Sequence, residues 1–464
     1  MTNVRILAID FGTTRCKVGV VDSGGEFLSS AARELRMKRP GDGLVEGTEQ
    51  DWRSAVFSCV REALEKEGEK RIAMVSVTAQ TACPVCFDDA NRPVGPIISH
   101  LDTRATAQFR KASRTFPDSY MASKLVGNLS WIKGREPETF GRIRKVCDVG
   151  EYVGKLLTGR LTHDAKWLPK SRVRAMAESL GMEESVFGTE HDYSTPIGEV
   201  TRAAGESCGL QPGTPVLISP FDGMSCVVGS GLVRSNALAE VAGTTEVVAA
   251  VTRPGLATTY HPIPGLRLFY TSPPLGSPYD WFRRMLYAIG NAEEQHASIE
   301  REVASMPAEP GSLLFVPSFS TLNYSWKVSG KLLNIEFGEE RSHILKAVME
   351  GITMSVRTII DDLRDKGMTV RSIRMSGGRS RSEVWNRIRA DIYGVPVALL
   401  QTSETGCLGS SVFAAASLGV YSSVKEAAEM MVHVTRTYRP DPSRAKAYEK
   451  TYRRFKSAYV QEPI

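Results

Sequence analysis

Apolar residues along this 464-residue chain occur either in short continuous runs or at helical spacing. Short apolar runs bounded by turn residues predict buried strands, whereas apolar residues three or four positions apart predict amphipathic helices. The clearest helical pattern is formed by Trp52, Val56, Val60 and Leu64, and it predicts a helix over residues 49–67. Strand and helix patterns alternate in both halves of the chain, which is typical of an α/β fold.

The same patterns place the other elements. In the first half we expect strands at 4–10, 17–22, 26–30, 72–78, 85–88, 93–98 and 215–218, a mostly helical stretch at 103–180, and a small-residue helix at 223–232. In the second half we expect a hairpin at 238–252, strands at 266–271, 372–375 and 395–400, and helices at 343–364, 382–393 and 404–418. Residues 232–236 indicate a boundary, so the predicted lobes are 1–232 and 233–464.

One turn motif occurs twice, about half a chain length apart. Gly12-Thr13-Thr14 follows an apolar run, and so does Gly243-Thr244-Thr245. Glycine allows a sharp turn, and threonine hydroxyls with successive backbone N–H groups suit phosphate oxygens. The repeat predicts two similar lobes that each supply one hairpin to a nucleotide. Only the first copy carries an acid, Asp10, which we therefore expect nearer to a metal ion.

Composition excludes several classes of protein. The chain is 42% hydrophobic and 24% charged, with a net charge of +6 and no dominant basic run, which argues against a nucleic-acid partner. No apolar stretch is long enough to span a bilayer, and no secretory signal is expected. The eight cysteines are scattered, as in reduced cytoplasmic proteins, and Cys83 and Cys86 are interpreted as core-packed thiols rather than a zinc or redox pair. We expect a cytoplasmic protein without a membrane partner.

Five motifs occur in the order and spacing of one known family. They are Asp10-Phe11-Gly12-Thr13-Thr14, Asp102-Thr103-Arg104, Asp222 between a strand and a helix, Gly243-Thr244-Thr245, and Gly377-Gly378 before helix 382–393. Residues 330–350 also fit the C-terminal signature of that family, with Asn334 where the signature has glycine. The chain thus resembles the FGGY carbohydrate kinases over essentially its whole length. The resemblance implies two ribonuclease-H-like lobes, as in actin and hexokinase, with ATP and sugar in an interdomain cleft.

The resemblance assigns the nucleotide-binding residues. Asp10 would hold Mg²⁺ through water beside the ATP phosphates, and Gly377 and Gly378 would lie against the adenosine, because glycine lets a flat base approach the backbone. The residues expected around the phosphates, adenine and ribose are Thr13, Thr14, Lys17, Gly243, Thr244, Thr245, Arg379 and Ser382. The alternatives from the sequence alone are a turn-capping Asp10, two ordinary hairpins and a simple helix-start turn.

Asp222 matches the catalytic aspartate of the family. It follows the apolar run that ends at Ile218, and ligands of open α/β sheets gather at the carboxyl ends of strands. Its implied role is to accept the proton of the attacking sugar hydroxyl. The alternative is an ordinary helix N-cap, for which aspartate is well suited.

The sugar side departs from close relatives in the family. Asp102 and Arg104 fit the Asp-x-Arg motif that faces polyol hydroxyls, and Glu46 fits a Gly-x-Val-Glu position, with an exposed loop acid as its alternative. Gln80 and Thr81 are also expected to contact the sugar. They belong to Ala79-Gln80-Thr81-Ala82, where glycerol kinases have an Arg-Glu pair and xylulokinases a Met-His pair, and Thr81 with Ala82 implies a smaller, less charged pocket wall. Further departures from the family pattern are Leu101 for tryptophan, Asn128 for lysine, and the lack of a Gly-Glu-Arg-x-Pro segment at 317–330.

The sequence therefore predicts an ATP- and Mg²⁺-dependent kinase that phosphorylates a hydroxyl of a small sugar or polyol, in a xylulokinase-like manner. The alternatives are an autoinducer (quorum-signal) kinase of the same family, a non-kinase actin-like ATPase, and a sugar sensor. A homodimer is left open, as are the identity of the sugar and the carbon that is phosphorylated.

Overall fold

The computed structural model describes residues 4–68, 71–235, 237–243, 245–319 and 328–459. In the first half the strands are β1 Arg5–Phe11, β2 Arg15–Asp22, β3 Phe27–Glu34, β4 Glu46–Gly47, β5 Met74–Ala79, β6 Val85–Phe87, β7 Ile97–Ile98, β8 Lys145–Cys147, β9 Thr162–Asp164, β10 Thr189–His191, β11 Gly198–Glu199 and β12 Pro215–Ile218. The helices are α1 Glu49–Glu67, α2 Thr106–Thr115, α3 Tyr120–Arg135, α4 Pro137–Gly141, α5 Val149–Thr158, α6 Lys170–Leu180, α7 Arg202–Cys208 and α8 Asp222–Gly229.

In the second half the strands are β13 Leu238–Ala242, β14 Glu246–Thr252, β15 Thr259–Tyr260, β16 Arg267–Thr271, β17 Leu314–Phe319, β18 Val328–Leu333, β19 Ile373–Ser376, β20 Val397–Leu400 and β21 Val434–Tyr438. The helices are α9 Gly276–Leu286, α10 Ala292–Ala304, α11 Arg341–Asp365, α12 Glu383–Tyr393, α13 Thr405–Ser417, α14 Val424–Met431 and α15 Pro442–Ala458. Among the described residues, no helix is both long and apolar enough to cross a membrane.

The six strands of the first large sheet have counterparts, in reverse order, in the second sheet, which has β15 as an additional edge strand. In the first half the order is β11-β12-β5-β1-β2-β3, with β1 antiparallel to β2 and parallel to β5. In the second half β13 pairs antiparallel with β14 and parallel with β19, within the order β15-β16-β14-β13-β19-β20-β21. An antiparallel hairpin followed by parallel strands therefore occurs twice, which confirms the predicted α/β fold with two sheet-containing domains.

Each sheet is buried under helices of its own half. In the first half Trp52, Val56 and Val60 of α1 pack with Ile9 and Val75 of the sheet in one apolar cluster. In the second half the apolar side of α11 and residues of α12 form another cluster with β13, β14 and β19. A third apolar cluster joins α3 to α6. Helix α1 covers residues 49–67, as its apolar spacing predicts.

The chain divides into two compact units that are not two contiguous halves. The first comprises Met1–Gly229 and Gly406–Met431, and the second Ser230–Thr405 and Val432–Ile464. The boundary predicted from the sequence, at residues 232–236, places residues 406–431 in the second lobe. Small residues explain the difference, because any Cβ added to Gly409 would overlap the backbone of Ser225 in α8. This close approach packs α13 against α8 in the first unit.

Two departures from the family pattern can be located in the structure. Asn334, which replaces the glycine of the family signature, has a φ of 60°, in the left-handed region that asparagine tolerates better than most residues. In the segment that lacks Gly-Glu-Arg-x-Pro, β17 and β18 pair Pro317 with Gly330. Residues 320–327 of that segment, and Thr244 and Asn236, lie outside the described residues.

Candidate active site

Three of the predicted site residues lie at one edge of the first sheet. Asp10 occupies the carboxyl end of β1, Gln80 follows β5, and Asp222 comes four residues after β12. Because β5 runs parallel to both β1 and β12, these strand ends share one edge, where ligands of α/β sheets bind. Two hydrogen bonds hold the edge together: Ser219 N donates to Val77 O at 2.8 Å, and Thr78 Oγ1 donates to Pro220 O at 2.7 Å.

Asp10 is buried beside the hairpin turn that the sequence singled out. Its register partner across the hairpin is Lys17, and Gly12 N donates to Arg15 O at 3.0 Å to close the turn. A Cβ added to Gly406, in the first turn of α13, would overlap Asp10 Oδ2, so this glycine is required for the carboxylate to fit. The turn residues Thr13 and Thr14 are half-buried and exposed, respectively. The geometry thus leaves the turn accessible beside an acidic group.

Asp222 begins α8 with only part of its side chain exposed. Its Oδ1 accepts the N–H of Gly223 at 2.7 Å, whereas the N–H groups of Met224 and Ser225 donate to Phe221 O. An N-cap side chain would instead accept from the second or third residue of the helix. Desolvation raises the pKa of Asp222, and the N–H of Gly223 and the charge of Lys17 oppose this rise.

Asp102, Arg104 and Glu46 form one ion-pair cluster. Asp102 is 1% exposed, and its carboxylate accepts Nε and Nη2 of Arg104 at 2.9 and 2.7 Å. Asp102 Oδ2 also accepts Val45 N at 2.7 Å, and Arg104 Nη2 lies 2.7 Å from Glu46 Oε1. The three residues that the sequence assigned to the sugar are therefore brought together, with one guanidinium shared by two carboxylates.

The loop after β5 is held by Asp148, the N-cap of α5. Its Oδ2 accepts Thr81 Oγ1 and Ala82 N, both at 2.6 Å, and its Oδ1 accepts Cys83 N at 3.0 Å and Val149 N at 2.9 Å. Ala82 has a φ of 66°, a conformation that costs energy for a residue with a Cβ. Burial raises the pKa of Asp148 to about 7, and the charge of Glu151 contributes. The Thr81 hydroxyl is thus engaged in shaping the loop.

Helix α3 contributes a buried lysine to the same region. Lys124 Nζ donates to Asp102 O at 2.7 Å, and burial lowers the pKa of this ammonium. Two turns further along α3, the Trp131 ring lies under the Arg104 guanidinium, with 5.2 Å between the guanidinium carbon and the ring centroid. The helix therefore supports the Asp102–Arg104 turn at two points.

Cys83 and Cys86 are both buried among apolar residues of the first unit. Burial raises the pKa of the Cys86 thiol to about 12, and it also raises that of Cys83. The structure thus places both thiols in the core, as the sequence predicts. Among the described residues, no group of three or more His, Cys, Asp or Glu side chains is arranged to hold a metal ion.

In the second unit the Gly377-Gly378 turn adjoins the second hairpin. Gly377 has a φ of 83°, and a Cβ there would overlap the backbone of Ala242, the residue before Gly243. Gly378 has no other atom within 4 Å of where a Cβ would lie. The turn therefore presents an open backbone surface next to the Gly243 turn, which suits contact with a flat base.

Arg379 and Ser382 make contacts within the protein. The Arg379 guanidinium donates to Gly243 O and pairs with Glu246 at 3.0 Å and with Asp280 at 3.3 Å. Ser382 Oγ accepts Trp385 N at 3.2 Å as the N-cap of α12. Burial raises the pKa of Glu246 to about 8. These contacts favour a role for Arg379 in positioning the hairpin, and its contact with adenine or ribose stays a prediction.

Sequence reasoning missed Asp148 and Lys124. Asp148 is separated by 65–67 residues from the loop that it holds, and Lys124 by 22 from Asp102, so no local pattern links them. One signal was available: Asp148 directly precedes an apolar helical stretch, which is the signature of an N-cap.

Comparisons with known proteins identify the family. The sequence model of the N-terminal domain of the FGGY family of carbohydrate kinases matches residues 5–229, and that of the C-terminal domain matches residues 237–418. The chain belongs to the FGGY family of carbohydrate kinases. An FGGY chain of this kind is an ATP-dependent sugar kinase, which confirms the enzyme class predicted from the five motifs.

Individual FGGY relatives cover nearly the whole chain. The L-xylulose/3-keto-L-gulonate kinase of Escherichia coli (strain K12) is 26% identical over 481 residues, which cover 97% of this chain and 95% of the relative. The autoinducer-2 kinase of Salmonella paratyphi B is 22% identical, with 98% and 94% covered. The crystal structure of xylulose kinase from Rhodospirillum rubrum aligns with a TM-score of 0.78 at 24% identity and covers 98% of both chains.

Proposed function

We propose that this enzyme transfers the γ-phosphoryl group of ATP to a hydroxyl of a small sugar or polyol, with Asp222 as the general base. The observation that carries the proposal is the place of Asp222. Its carboxylate lies at the carboxyl edge of the first sheet, together with Asp10 and Gln80, and Oδ1 accepts only one backbone N–H among the described residues. An oxygen that is not used to cap the helix is suited to accept a proton from a bound hydroxyl.

The proposed sugar-binding group is the cluster of Asp102, Arg104 and Glu46, together with Gln80 and Thr81. Carboxylates, guanidinium and amide supply both donors and acceptors, which a polyhydroxylated ligand needs. Arg104 is fixed by two carboxylates, so its remaining N–H groups have a defined direction. Binding side chains that are held rigidly in this way orient a substrate before the chemical step.

The proposed nucleotide-binding groups are the two hairpin turns and the Gly377-Gly378 turn. Thr13, Thr14 and Lys17 of the first unit, and Gly243, Thr244 and Thr245 of the second, would contact phosphates. Asp10 fits Mg²⁺, because its buried carboxylate is kept in place by a glycine that leaves it room, and carboxylate oxygen is a preferred ligand of this ion. Bound Mg²⁺ would offset charge on the phosphates.

The substrate class proposed first is a ketose of the xylulose type. It rests on the names of relatives that cover nearly the full chain, an L-xylulose/3-keto-L-gulonate kinase and xylulose kinases. The second candidate is an autoinducer-2 kinase activity, because a relative of that name covers 98% of this chain. Thr81 and Ala82, which stand in place of the Arg-Glu pair of glycerol kinases and the Met-His pair of xylulokinases, are the residues we expect to influence the choice between these substrate classes.

A substrate panel tests the proposal. ADP release is measured with Mg²⁺ and ATP against pentuloses, hexuloses, polyols, keto-aldonates and autoinducer precursors, with a sugar-free reaction as the control. We expect at least one neutral ketose or polyol to raise the rate of ADP release well above the sugar-free rate. A sugar-independent ATPase activity across the whole panel would contradict the proposal and favour an actin-like ATPase.

A further inference from the structure

Asn128 lies on the face of α3 that is turned toward the Asp102–Arg104 turn. Lys124, Asn128 and Trp131 are spaced i, i+4 and i+7, so they share one face of the helix. Lys124 Nζ contacts Asp102 O, and Trp131 lies under the Arg104 guanidinium. The residue between two such contacts faces the same turn, which belongs to the proposed sugar-binding group.

The Asn128 side chain is buried without being satisfied. It is 0% exposed, and neither Oδ1 nor Nδ2 has a hydrogen-bond partner among the described residues. Buried polar groups are almost always hydrogen-bonded, because leaving a donor or acceptor unsatisfied costs about 1–3 kcal/mol. Asn386 shows the usual arrangement: it is equally buried, but its Nδ2 donates to Ser380 O at 2.7 Å and its Oδ1 accepts from Arg389 at 3.1 Å.

A second buried amide has the same property. Gln80 is 3% exposed, and neither Oε1 nor Nε2 has a partner within the part of the chain that the structure describes. The loop of Gln80 is joined to the Asp102 turn, because His100 N, two residues before Asp102, donates to Cys83 Sγ of that loop at 3.2 Å. Thr78, two residues before Gln80, donates to Pro220 O at 2.7 Å, two residues before Asp222. The two unsatisfied amides thus belong to elements that contact the Asp102–Arg104 turn, and the loop of Gln80 follows the strand bonded to the Asp222 segment.

The charges in this region favour a neutral ligand. Arg104 is paired with both Asp102 and Glu46, and Lys124 is bound to the Asp102 carbonyl. These two cations balance the carboxylates of Asp102 and Glu46, so the four groups have no excess positive charge for an acidic sugar, whereas hydroxyl and carbonyl oxygens need only donors and acceptors such as the two amides.

We propose that Asn128 is a specificity-determining residue that hydrogen-bonds a hydroxyl or carbonyl oxygen of a neutral sugar, with Gln80 as the companion amide. The inference rests on the proposed kinase function and names the chemistry of its acceptor substrate. It also explains the departure from the family at this position, where lysine is usual: an amide offers one donor and one acceptor side without adding a third cation next to Lys124 and Arg104.

The test compares Asn128→Leu with Asn386→Leu. Leucine has a similar size but no polar atom, so each variant removes one buried amide. In ligand-free protein we expect Asn128→Leu to keep or raise the Tm, since its amide contributes no hydrogen bond, and Asn386→Leu to lower the Tm. With the best sugar of the panel, kcat/KM of Asn128→Leu should fall about tenfold to a hundredfold through KM, while KM for ATP stays unchanged.

The outcomes separate two failures. A wild type that turns over no sugar overturns the proposed function and this inference with it. The inference alone is overturned if the wild type phosphorylates a neutral sugar and Asn128→Leu has the same KM for that sugar. It is also overturned if Asn128→Leu lowers the Tm as Asn386→Leu does. A higher kcat/KM for a keto-aldonate than for the matching neutral ketose would likewise contradict the neutral class.

Discussion

At the scale of single residues, Asp222 has two opposing requirements. A general base must be ionised to accept a proton, yet desolvation favours the protonated acid and raises the pKa of this side chain. The N–H of Gly223 and the charge of Lys17 act against this rise. A base with a raised pKa binds the transferred proton more strongly, which helps catalysis as long as the group stays ionised at the working pH.

Replacing Asp222 with Asn tests the assignment. Asn keeps the shape and can accept the N–H of Gly223, but it cannot accept the substrate proton, so kcat should fall about 10²- to 10⁴-fold with ATP affinity unchanged. Steady-state kinetics and calorimetric ATP binding on the same preparation measure both. Near-normal kcat in the folded variant would favour another base.

The pKa of Asp222 also has consequences for pH dependence. Activity should decline as the pH falls through the raised pKa, at a higher pH than for an ordinary aspartate. Because the folded-state pKa exceeds the unfolded one, ionising Asp222 costs stability as the pH rises through this interval. Asp222→Asn removes that cost, so its Tm near neutral pH should equal or exceed that of wild type.

Single residues with local signatures could be predicted from the sequence, and those with distant partners could not. The apolar pattern shows where strands end, and Asp10, Asp222, the Gly243 turn and the Gly377 turn all lie at or after strand ends. In the sequence, Asn128 is distinguished only as a departure from the family pattern. Its lack of a hydrogen-bond partner depends on how α3 packs, which no spacing in the sequence encodes.

At the scale of elements, the apolar pattern predicted the long helices and several short strands, and it missed short strands that lie among helices. Helix α1 has the predicted bounds because its apolar face repeats over five turns, whereas β8 and β9 lie within the stretch 103–180 that was predicted as mostly helical. Three-residue strands inside such a stretch carry too little periodicity to detect, although β6 was predicted, at 85–88. They form through pairing with distant partners, such as β6 with β8.

The loop after β5 gives the prediction at this scale. Both oxygens of Asp148 accept two hydrogen bonds each, and an Asn could serve only one of these pairs. Each donor that loses its partner should cost about 1–3 kcal/mol. We expect Asp148→Asn to lower the Tm and to raise KM for the sugar, because the loop that carries Gln80 and Thr81 loosens, while KM for ATP changes little.

A matched control separates this effect from the chemistry of the substitution. Asp192 also accepts hydrogen bonds in a turn, from Ser194 N, Ser194 Oγ and Thr195 N, but these three go to Oδ1 and the side chain is exposed. Asp192→Asn should therefore leave Tm and both KM values as in wild type. If Asp148→Asn behaved like Asp192→Asn, the loop would not depend on Asp148.

At the scale of the whole molecule, one topology is used twice with different chemistry. Both units have a hairpin followed by parallel strands, but only the first carries Asp10 and Asp222, and only the second has the glycine pair at the end of β19. Residues 406–431 belong to the first unit although they follow most of the second unit in sequence. This was not predictable, because it follows from close packing at Gly406 and Gly409 rather than from sequence order.

This division predicts separate ligand footprints in the full-length protein, which hydrogen exchange with mass spectrometry can measure. ADP with Mg²⁺ should slow exchange in peptides that contain the Gly377–Arg381 turn and the Gly243 turn, because backbone N–H groups next to a bound nucleotide are shielded and ordered. The sugar alone should slow exchange in the loop after β5 and in α3, through the amides of Gln80 and Asn128. Peptides from α15, which packs against α12 and carries no proposed ligand group, supply the internal reference. If ADP slowed exchange in α3 while the Gly377 turn stayed unchanged, the nucleotide would have to be assigned to the first unit, and the roles proposed for the two glycine turns would be wrong.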